Sequence, residues 1–204
     1  RTVRVWDDVA AAPPERLQER RGIAGDLFVI KVAGAVAAAS DSLDEVHRMA
    51  AKARDHTRSM GVAVASGSSP EPGETTFELG QDEIEIGMGL HGEPGVSRGK
   101  LLPADALVDE MMARLLADLP FRGGDEVCLL VNDLGATTWM ELLIVNRRAS
   151  QVLAGEGITV HDTVIGSLCT CQEMAGFSLT LMKLDEELKG YYDMPCRSLG
   201  FSKR

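Results

Sequence analysis

A glycine-rich loop carries the side chain in this sequence that is best suited to chemistry, the imidazole of His91. Residues 82–88 before it alternate between apolar and acidic, which predicts a half-buried strand that leads into the loop. Glycines remove side-chain bulk around the histidine, so the backbone can come close to a ligand. These glycines are Gly87, Gly89, Gly92 and Gly95. Pro94 favours an extended conformation at Glu93. The pattern predicts a ligand loop, and a tight turn with an ordinary histidine has the same composition.

A second candidate site follows the apolar run Val127–Val131, which predicts a buried strand. The small and polar residues 132–138 come next, and a helix is expected from about Trp139 to Ala154. Open α/β sheets bind ligands at such a strand end, beside the helix N-terminus. The alternative is a capped helix start, with Thr137 or Thr138 as the N-cap. Both interpretations remain open at this stage.

Composition and charge exclude several classes of partner. The chain has 204 residues and a net charge of −10, from 21 basic and 31 acidic side chains. An acidic surface repels nucleic acid and anionic lipid, so neither is expected as a partner. No uncharged run is long enough to span a bilayer, and no signal peptide is recognisable. The four cysteines form no Cys-x-x-Cys pair, so we expect no metal site and a reducing, cytoplasmic location.

The sequence lacks the motifs by which chains hold nucleotides. It has no Gly-x-x-x-x-Gly-Lys-Ser/Thr phosphate loop, no Gly-x-Gly-x-x-Gly fingerprint and no acidic cluster that would hold Mg²⁺ for a nucleotide. We therefore expect that this chain binds no cofactor by itself.

Strands and helices alternate along the chain, which predicts an α/β fold with a mixed β-sheet flanked by helices. We expect an opening strand at residues 2–6, a buried helix at residues 24–39 and a helix from Leu43 to Met60. The richest Gly, Pro and Ser stretch is residues 66–76, which predicts a linker. The chain then divides into the C-terminal part of a first α/β lobe, residues 1–65, and a second lobe, residues 77–204, that carries the histidine loop.

Four segments in this order resemble the substrate-binding (K-type) part of the dihydroxyacetone kinase family. They are residues 19–25 (ERRGIAG), 87–95 (GMGLHGEPG), 130–137 (LVNDLGAT) and 174–180 (MAGFSLT). The resemblance covers most of the chain. It implies the C-terminal portion of a two-lobed α/β substrate subunit that pairs as a homodimer.

The resemblance also implies a chemistry for the loop. In that family the matching histidine holds the ketone covalently as a hemiaminal, which assigns this role to His91, with Gly89, Gly92 and Glu93 at the substrate. A neutral imidazole nitrogen can add to a ketone carbonyl, which separates a short-chain ketose such as dihydroxyacetone from polyols such as glycerol. The phosphoryl donor, ATP with Mg²⁺ or a phospho-protein, would come through a separate nucleotide-binding kinase subunit or domain.

The sequence departs from the family in three places. Family members have an upstream segment with a glycine-rich turn, another histidine and an aspartate, and none of these maps onto this chain. A further chain that supplies this segment is therefore a possible partner, and the chain is expected to be a segment or a trimmed product. Thr138-Trp139 stands where Pro and a smaller residue are expected, and residues 171–173 replace an expected Ser-Leu-Asp.

Two alternatives to a dihydroxyacetone kinase remain. The first is a non-catalytic module of the same fold that senses a ketose and regulates another protein, which the missing proton-transfer residues favour. The second is a kinase for four-carbon ketoses, since the loop alone does not distinguish them.

Overall fold

A six-stranded mixed β-sheet forms the centre of the molecule, which is described here by a computed structural model. The structure describes residues 1–69, 71, 74–89, 93 and 95–204. The strand order is β3-β2-β1-β6-β4-β5, in which only β4 and β5 are parallel among the described neighbours. The strands of this sheet are β1 Thr57–Ala65, β2 Glu83–Ile86, β3 Ser97–Lys100, β4 Glu126–Asp133, β5 Thr159–Gly166 and β6 Ala175–Leu184. The predicted α/β class with a mixed sheet flanked by helices is confirmed.

Helices cover both faces of the sheet. They are α1 Asp26–Ala39, α2 Leu43–Asp55, α3 Ala104–Asp118, α4 Trp139–Gly155 and α5 Glu186–Asp193. A short 3-10 helix at Pro14–Glu19 precedes them, and a two-stranded sheet, β7 Cys196–Arg197 with β8 Ser202–Lys203, follows. Among the described residues, no helix is long and apolar enough to cross a membrane.

The central strand β4 is apolar on both sides, and this explains its continuous apolar run. Val127, Leu129 and Val131 pack in the core shared with α3 and α4. Cys128 and Leu130 point the other way and pack in the core shared with α1, α2 and α5. Strands buried on both faces carry such runs because successive side chains alternate between the faces.

Two predicted element boundaries were wrong. Residues 2–6 form no strand, although Asp8 makes one isolated bridge with Ser59 of β1. The helix expected to reach Met60 ends at Asp55, and β1 begins at Thr57. Residues 57–60 pair with β6, and this long-range pairing outweighs a local preference for helix.

Strands from both sides of the predicted linker meet in one sheet. β1 lies before residues 66–76 and β6 lies after them, and the two strands pair from Thr57–Met182 to Ala65–Ala175. β1 also pairs with β2. The division into residues 1–65, 66–76 and 77–204 stays a prediction.

One buried carboxylate joins three distant parts of the chain. Asp118, at the end of α3, accepts hydrogen bonds from Arg20 Nη1 at 2.9 Å and Nη2 at 2.5 Å. Arg58 Nε of β1 donates to the same carboxylate at 2.5 Å. Arg20 also donates to the carbonyl of Ala12. Because one anion serves two buried cations, this cluster holds the N-terminal segment, β1 and α3 together.

Candidate functional site

The structure describes the two ends of the predicted ligand loop but not its centre. His91 and Gly92, predicted to bind the ketone, lie outside the described residues, as do Leu90 and Pro94. Gly89 and Glu93 are described. Glu93 offers its carbonyl to the Gly89 amide at 3.1 Å, and a Cβ at Gly89 would collide with the Glu93 carboxylate. These two predicted site residues are therefore in contact, which closes the loop on both sides of the histidine.

The first end of the loop is held at Gly87, directly after β2. Gly87 has a φ of +68°, a conformation that favours glycine, and a side chain there would collide with Ala10. Its amide donates to the carbonyl of Gly61 in β1 at 2.8 Å. Its carbonyl accepts a hydrogen bond from Arg21 Nη2, while Arg21 Nε donates to Asp8 at 2.8 Å. The start of the loop is therefore fixed by the sheet and by the N-terminal segment.

The second end of the loop is held by Glu85 of β2. This side chain is almost fully buried, although alternation along the strand predicted a solvent-facing position. One of its carboxylate oxygens accepts from the Gly95 amide at 2.8 Å, and the other accepts from Arg98 Nε at 2.9 Å. Glu85 thus exchanges water for a charge-assisted pair, because the loop returns over it.

The segments that carry the family resemblance meet at one small cavity of about 10 Å³ beneath this loop. Its lining is mainly apolar and comes from separate parts of the chain. The lining residues are Ile23, Ala24, Gly61, Met88, Gly89, Leu134, Cys169 and Ser178. Burial raises the pKa of the Cys169 thiol to about 11, so that thiol is neutral at physiological pH. Among the described residues, no group of three His, Cys, Asp or Glu side chains is arranged to hold a metal ion.

The second candidate site is a capped helix start. Thr138 is the N-cap of α4, and its side chain accepts from the Glu141 amide while the Glu141 carboxylate accepts from the Thr138 amide. Asp133 accepts from the amides of Gly135 and Thr137, each at 2.8 Å. These donors are satisfied within the chain, which favours the structural interpretation over a ligand site.

Two of the resembling segments lock together beside the cavity. The Thr137 hydroxyl donates to the carbonyl of Gly176 at 2.5 Å and accepts from its amide at 2.8 Å. Gly176 has a φ of +152°, and a Cβ there would collide with the Val62 carbonyl of β1. This contact explains why the Gly-Ala-Thr and Met-Ala-Gly segments occur together in one chain.

Replacing Gly176 with alanine is expected to lower the free energy of unfolding by roughly 2–4 kcal/mol, because the new Cβ meets backbone in a conformation that disfavours side chains. Urea unfolding would measure the loss. The matched control is Gly190→Ala in α5, where a Cβ meets nothing within 4 Å and alanine should add about 0.5–1 kcal/mol. Equal stability of the two variants would refute this account of Gly176.

Buried carboxylates support the segment that holds the loop. Asp7 accepts from the amides of Ile23 and Gly25 at 2.9 and 2.8 Å, and burial raises its pKa. Burial also raises the pKa of Asp8 to about 6, against the opposing effect of Arg21. Asp8 and Arg21 were not predicted as site residues. The segment 19–25 marked this region, but nothing local in the sequence indicates that Arg21 reaches the loop.

Asp8 makes stability depend on pH. Its pKa rises from 3.8 to about 6 on folding, so the folded state binds the proton more tightly. The resulting stabilisation is complete below the lower value and is lost as the pH rises through about 6. We expect wild type to lose about 3 kcal/mol relative to Asp8→Asn between about pH 4 and about pH 7. Urea unfolding across this range tests it, and a constant difference between the two proteins would contradict it.

The sheet and its interlocked loops define an α/β domain of the kind that carries ligand sites in loops at strand ends. Residues 1–200 match the Dak1 domain, and the chain belongs to this family. This confirms the resemblance drawn from the sequence.

Individual relatives agree with this assignment. The chain is 43% identical over 195 residues to the PTS-dependent dihydroxyacetone kinase 2, dihydroxyacetone-binding subunit DhaK, of Listeria innocua, covering 96% of this chain and 58% of that protein. It is 38% identical over 203 residues to the L-erythrulose kinase of Pectobacterium atrosepticum, covering 98% of this chain and 34% of that protein. The chain thus spans little more than half of the first relative and about a third of the second.

A solved structure has the same fold. The dihydroxyacetone kinase operon co-activator Dha-DhaQ superposes with a TM-score of 0.85 at 32% identity. The match covers 94% of this chain and 59% of that one.

Proposed function

We propose that this chain is part of a dihydroxyacetone (glycerone) kinase and that it binds a short-chain ketose covalently on His91. The observation that carries the proposal is the convergence of the resembling segments at one cavity beneath the loop that contains His91. The dihydroxyacetone-binding Listeria innocua relative, matched over 96% of this chain, supports the substrate class.

The proposed binding step is the addition of an imidazole nitrogen across the ketone carbonyl. A carbon–nitrogen bond forms, the carbonyl electron pair moves to oxygen, and that oxygen takes a proton as the ring nitrogen loses one. The product is a hemiaminal that retains every atom of the ketone. A polyol without a carbonyl cannot form it, so the reaction itself selects a ketose from glycerol.

The neighbours of His91 have separate proposed roles. Gly89 and Gly92 leave room for the ketose at the backbone, and the described contact between Gly89 and Glu93 brings a carboxylate to the loop. We propose that Glu93 orients the imidazole. The bound hydroxyl is then presented to a phosphoryl donor, where positioning and charge stabilisation supply most of the catalysis.

The donor and the partners belong to the same proposal. ATP with Mg²⁺ or a phospho-protein would act through a separate kinase subunit or domain, and the "PTS-dependent" Listeria relative supports the second route. Because the chain spans 58% of that relative, another chain that supplies the remaining segment is a further proposed partner. A homodimer and a cytoplasmic location complete the proposal.

Two alternatives have specific support. The similarity to an operon co-activator at a TM-score of 0.85 favours a regulatory module that senses a ketose without phosphorylating it. The similarity to an L-erythrulose kinase favours a four-carbon ketose as the substrate. Both alternatives keep the covalent role of His91 and differ only in what happens after binding.

A phosphoryl-transfer assay separates these functions. The chain would be combined with a nucleotide-binding kinase subunit and, in a parallel arm, with the part of the Listeria innocua subunit outside the matched region. Dihydroxyacetone, erythrulose and glycerol would each be offered with ATP and Mg²⁺ or with a phospho-protein donor. We expect phosphorylation of dihydroxyacetone and none of glycerol. Faster turnover of erythrulose would favour the four-carbon alternative, and ketone binding without transfer in every arm would contradict the kinase and favour the sensor.

A further inference from the structure

We propose that Arg21 and Asp8 form a positioning pair that holds the histidine loop in the conformation that receives the ketose. The inference rests on the proposed function of His91 and extends it to two residues that precede the loop by about 70 positions in the sequence. Neither residue need touch the ketose, because the pair acts on the backbone at the start of the loop.

The guanidinium of Arg21 joins two partners in one plane. Its Nε donates to Asp8 Oδ2 at 2.8 Å, and its Nη2 donates to the carbonyl of Gly87. The second oxygen of Asp8 accepts from the Ala10 amide at 3.0 Å. The Asp8 side chain is fully buried and that of Arg21 is 27% exposed, so the pair is largely shielded from water. A planar fork fixes the direction of both donors, which a lysine ammonium does not.

The pair is itself anchored on the central sheet. The amide of Val9 donates to the Ser59 carbonyl at 2.9 Å, and the Ser59 amide donates to the Asp7 carbonyl at 2.7 Å. These bonds tie the segment that contains Asp8 to β1. The loop is thereby held against the sheet by two routes: the Gly87 amide bonds to Gly61 of β1, and the Gly87 carbonyl bonds to Arg21.

The composition of the loop makes this external support necessary. Glycine has little preference for one backbone conformation, so a loop with glycines at 87, 89, 92 and 95 gains little order from its own sequence. The carbonyl that Arg21 holds belongs to the peptide unit between Gly87 and Met88, four residues or fewer before His91. A rotation of this peptide unit would move the imidazole relative to the bound ketone, and small displacements of a reacting group strongly reduce reactivity.

The test compares ketone binding by Arg21→Ala, Arg21→Lys and wild type, with Arg148→Ala as the control. Arg148 makes a bidentate pair with Asp109, at 2.7 and 2.8 Å, between α4 and α3 and away from the loop. We expect Arg21→Ala to raise the Kd for dihydroxyacetone by about 10- to 100-fold, the usual effect of losing a charge-assisted hydrogen bond. Arg148→Ala should leave this Kd within about twofold of wild type, since exposed pairs contribute little.

Two further measurements distinguish positioning from a general loss of structure. Thermal unfolding establishes that each variant is folded at the assay temperature. In the phosphoryl-transfer assay, Arg21→Lys should raise KM for the ketone and retain kcat at saturating ketone, because the bound ketone then holds the loop. A fall in kcat with unchanged KM would contradict the inference.

The failure of this inference differs from the failure of the proposed function. If wild type forms no adduct with dihydroxyacetone, the proposed function is refuted and the inference falls with it. If wild type forms the adduct and Arg21→Ala binds the ketone as tightly as wild type, the positioning pair alone is refuted.

Discussion

Replacing His91 with alanine is expected to lower kcat/KM for phosphorylation of dihydroxyacetone by about 10³-fold or more, because the covalent anchor that orients the ketone is lost. The measurement is the phosphoryl-transfer assay with the kinase partner and saturating donor. His91→Gln should be equally inactive, since its amide is a poor nucleophile although its size is similar. The free energy of unfolding should change little in either variant.

The control for this prediction is His47→Ala, which removes an imidazole from α2 rather than from the loop. It should retain the wild-type kcat/KM. The proposed role of His91 would be wrong if His91→Ala kept more than about a tenth of the wild-type kcat/KM, a loss smaller than covalent anchoring requires.

The largest expected effect on stability is at Asp118. Its carboxylate lies between Arg20 and Arg58, whose side chains are 0% and 6% exposed. Asp118→Asn would leave two buried guanidinium groups without a counter-charge, and we expect it to lower the free energy of unfolding by about 3–5 kcal/mol. Urea unfolding at neutral pH would measure this. Asp109→Asn, which weakens an exposed pair with Arg148, is the control and should cost about 1 kcal/mol or less.

The effect of Asp118 should also depend on pH in a defined direction. Burial opposes the charged carboxylate, but hydrogen bonds from Arg20 and Arg58 together hold the pKa of Asp118 below its usual value. The stabilisation is therefore present above the usual pKa and is lost as the pH falls through the lower folded value. A difference between wild type and Asp118→Asn that grew on acidification would contradict this account.

Local patterns in the sequence predicted much of the fold. The Ser42 cap at the start of α2 is present, with its side chain accepting from the Glu45 amide. The apolar run of β4 and the helix after it are also present. These features depend on neighbouring residues, so a single sequence contains them. By contrast, residues 57–60 became strand because β6, more than 100 residues later, pairs with them.

The candidate site was predictable only in part for the same reason. Residue types and glycine spacing identified the loop around His91, and the resemblance assigned its chemistry. The contacts that fix the loop come from distant residues: Arg21 lies 66 residues before Gly87. The burial of Glu85 depends on the return of the chain at Gly95, which alternation along β2 alone cannot reveal. Polar residues of this kind look like ordinary surface positions in the sequence.

The most direct test of the central claim is ¹³C NMR of dihydroxyacetone labelled at the carbonyl carbon, bound to the chain. A hemiaminal on His91 converts this carbon from trigonal to tetrahedral, so the account predicts a bound signal in the tetrahedral range, distinct from that of the free hydrate. The signal should be absent with His91→Ala and unchanged with His47→Ala. A bound ketone that keeps its trigonal carbonyl signal, or a tetrahedral signal that persists in His91→Ala, would contradict the account.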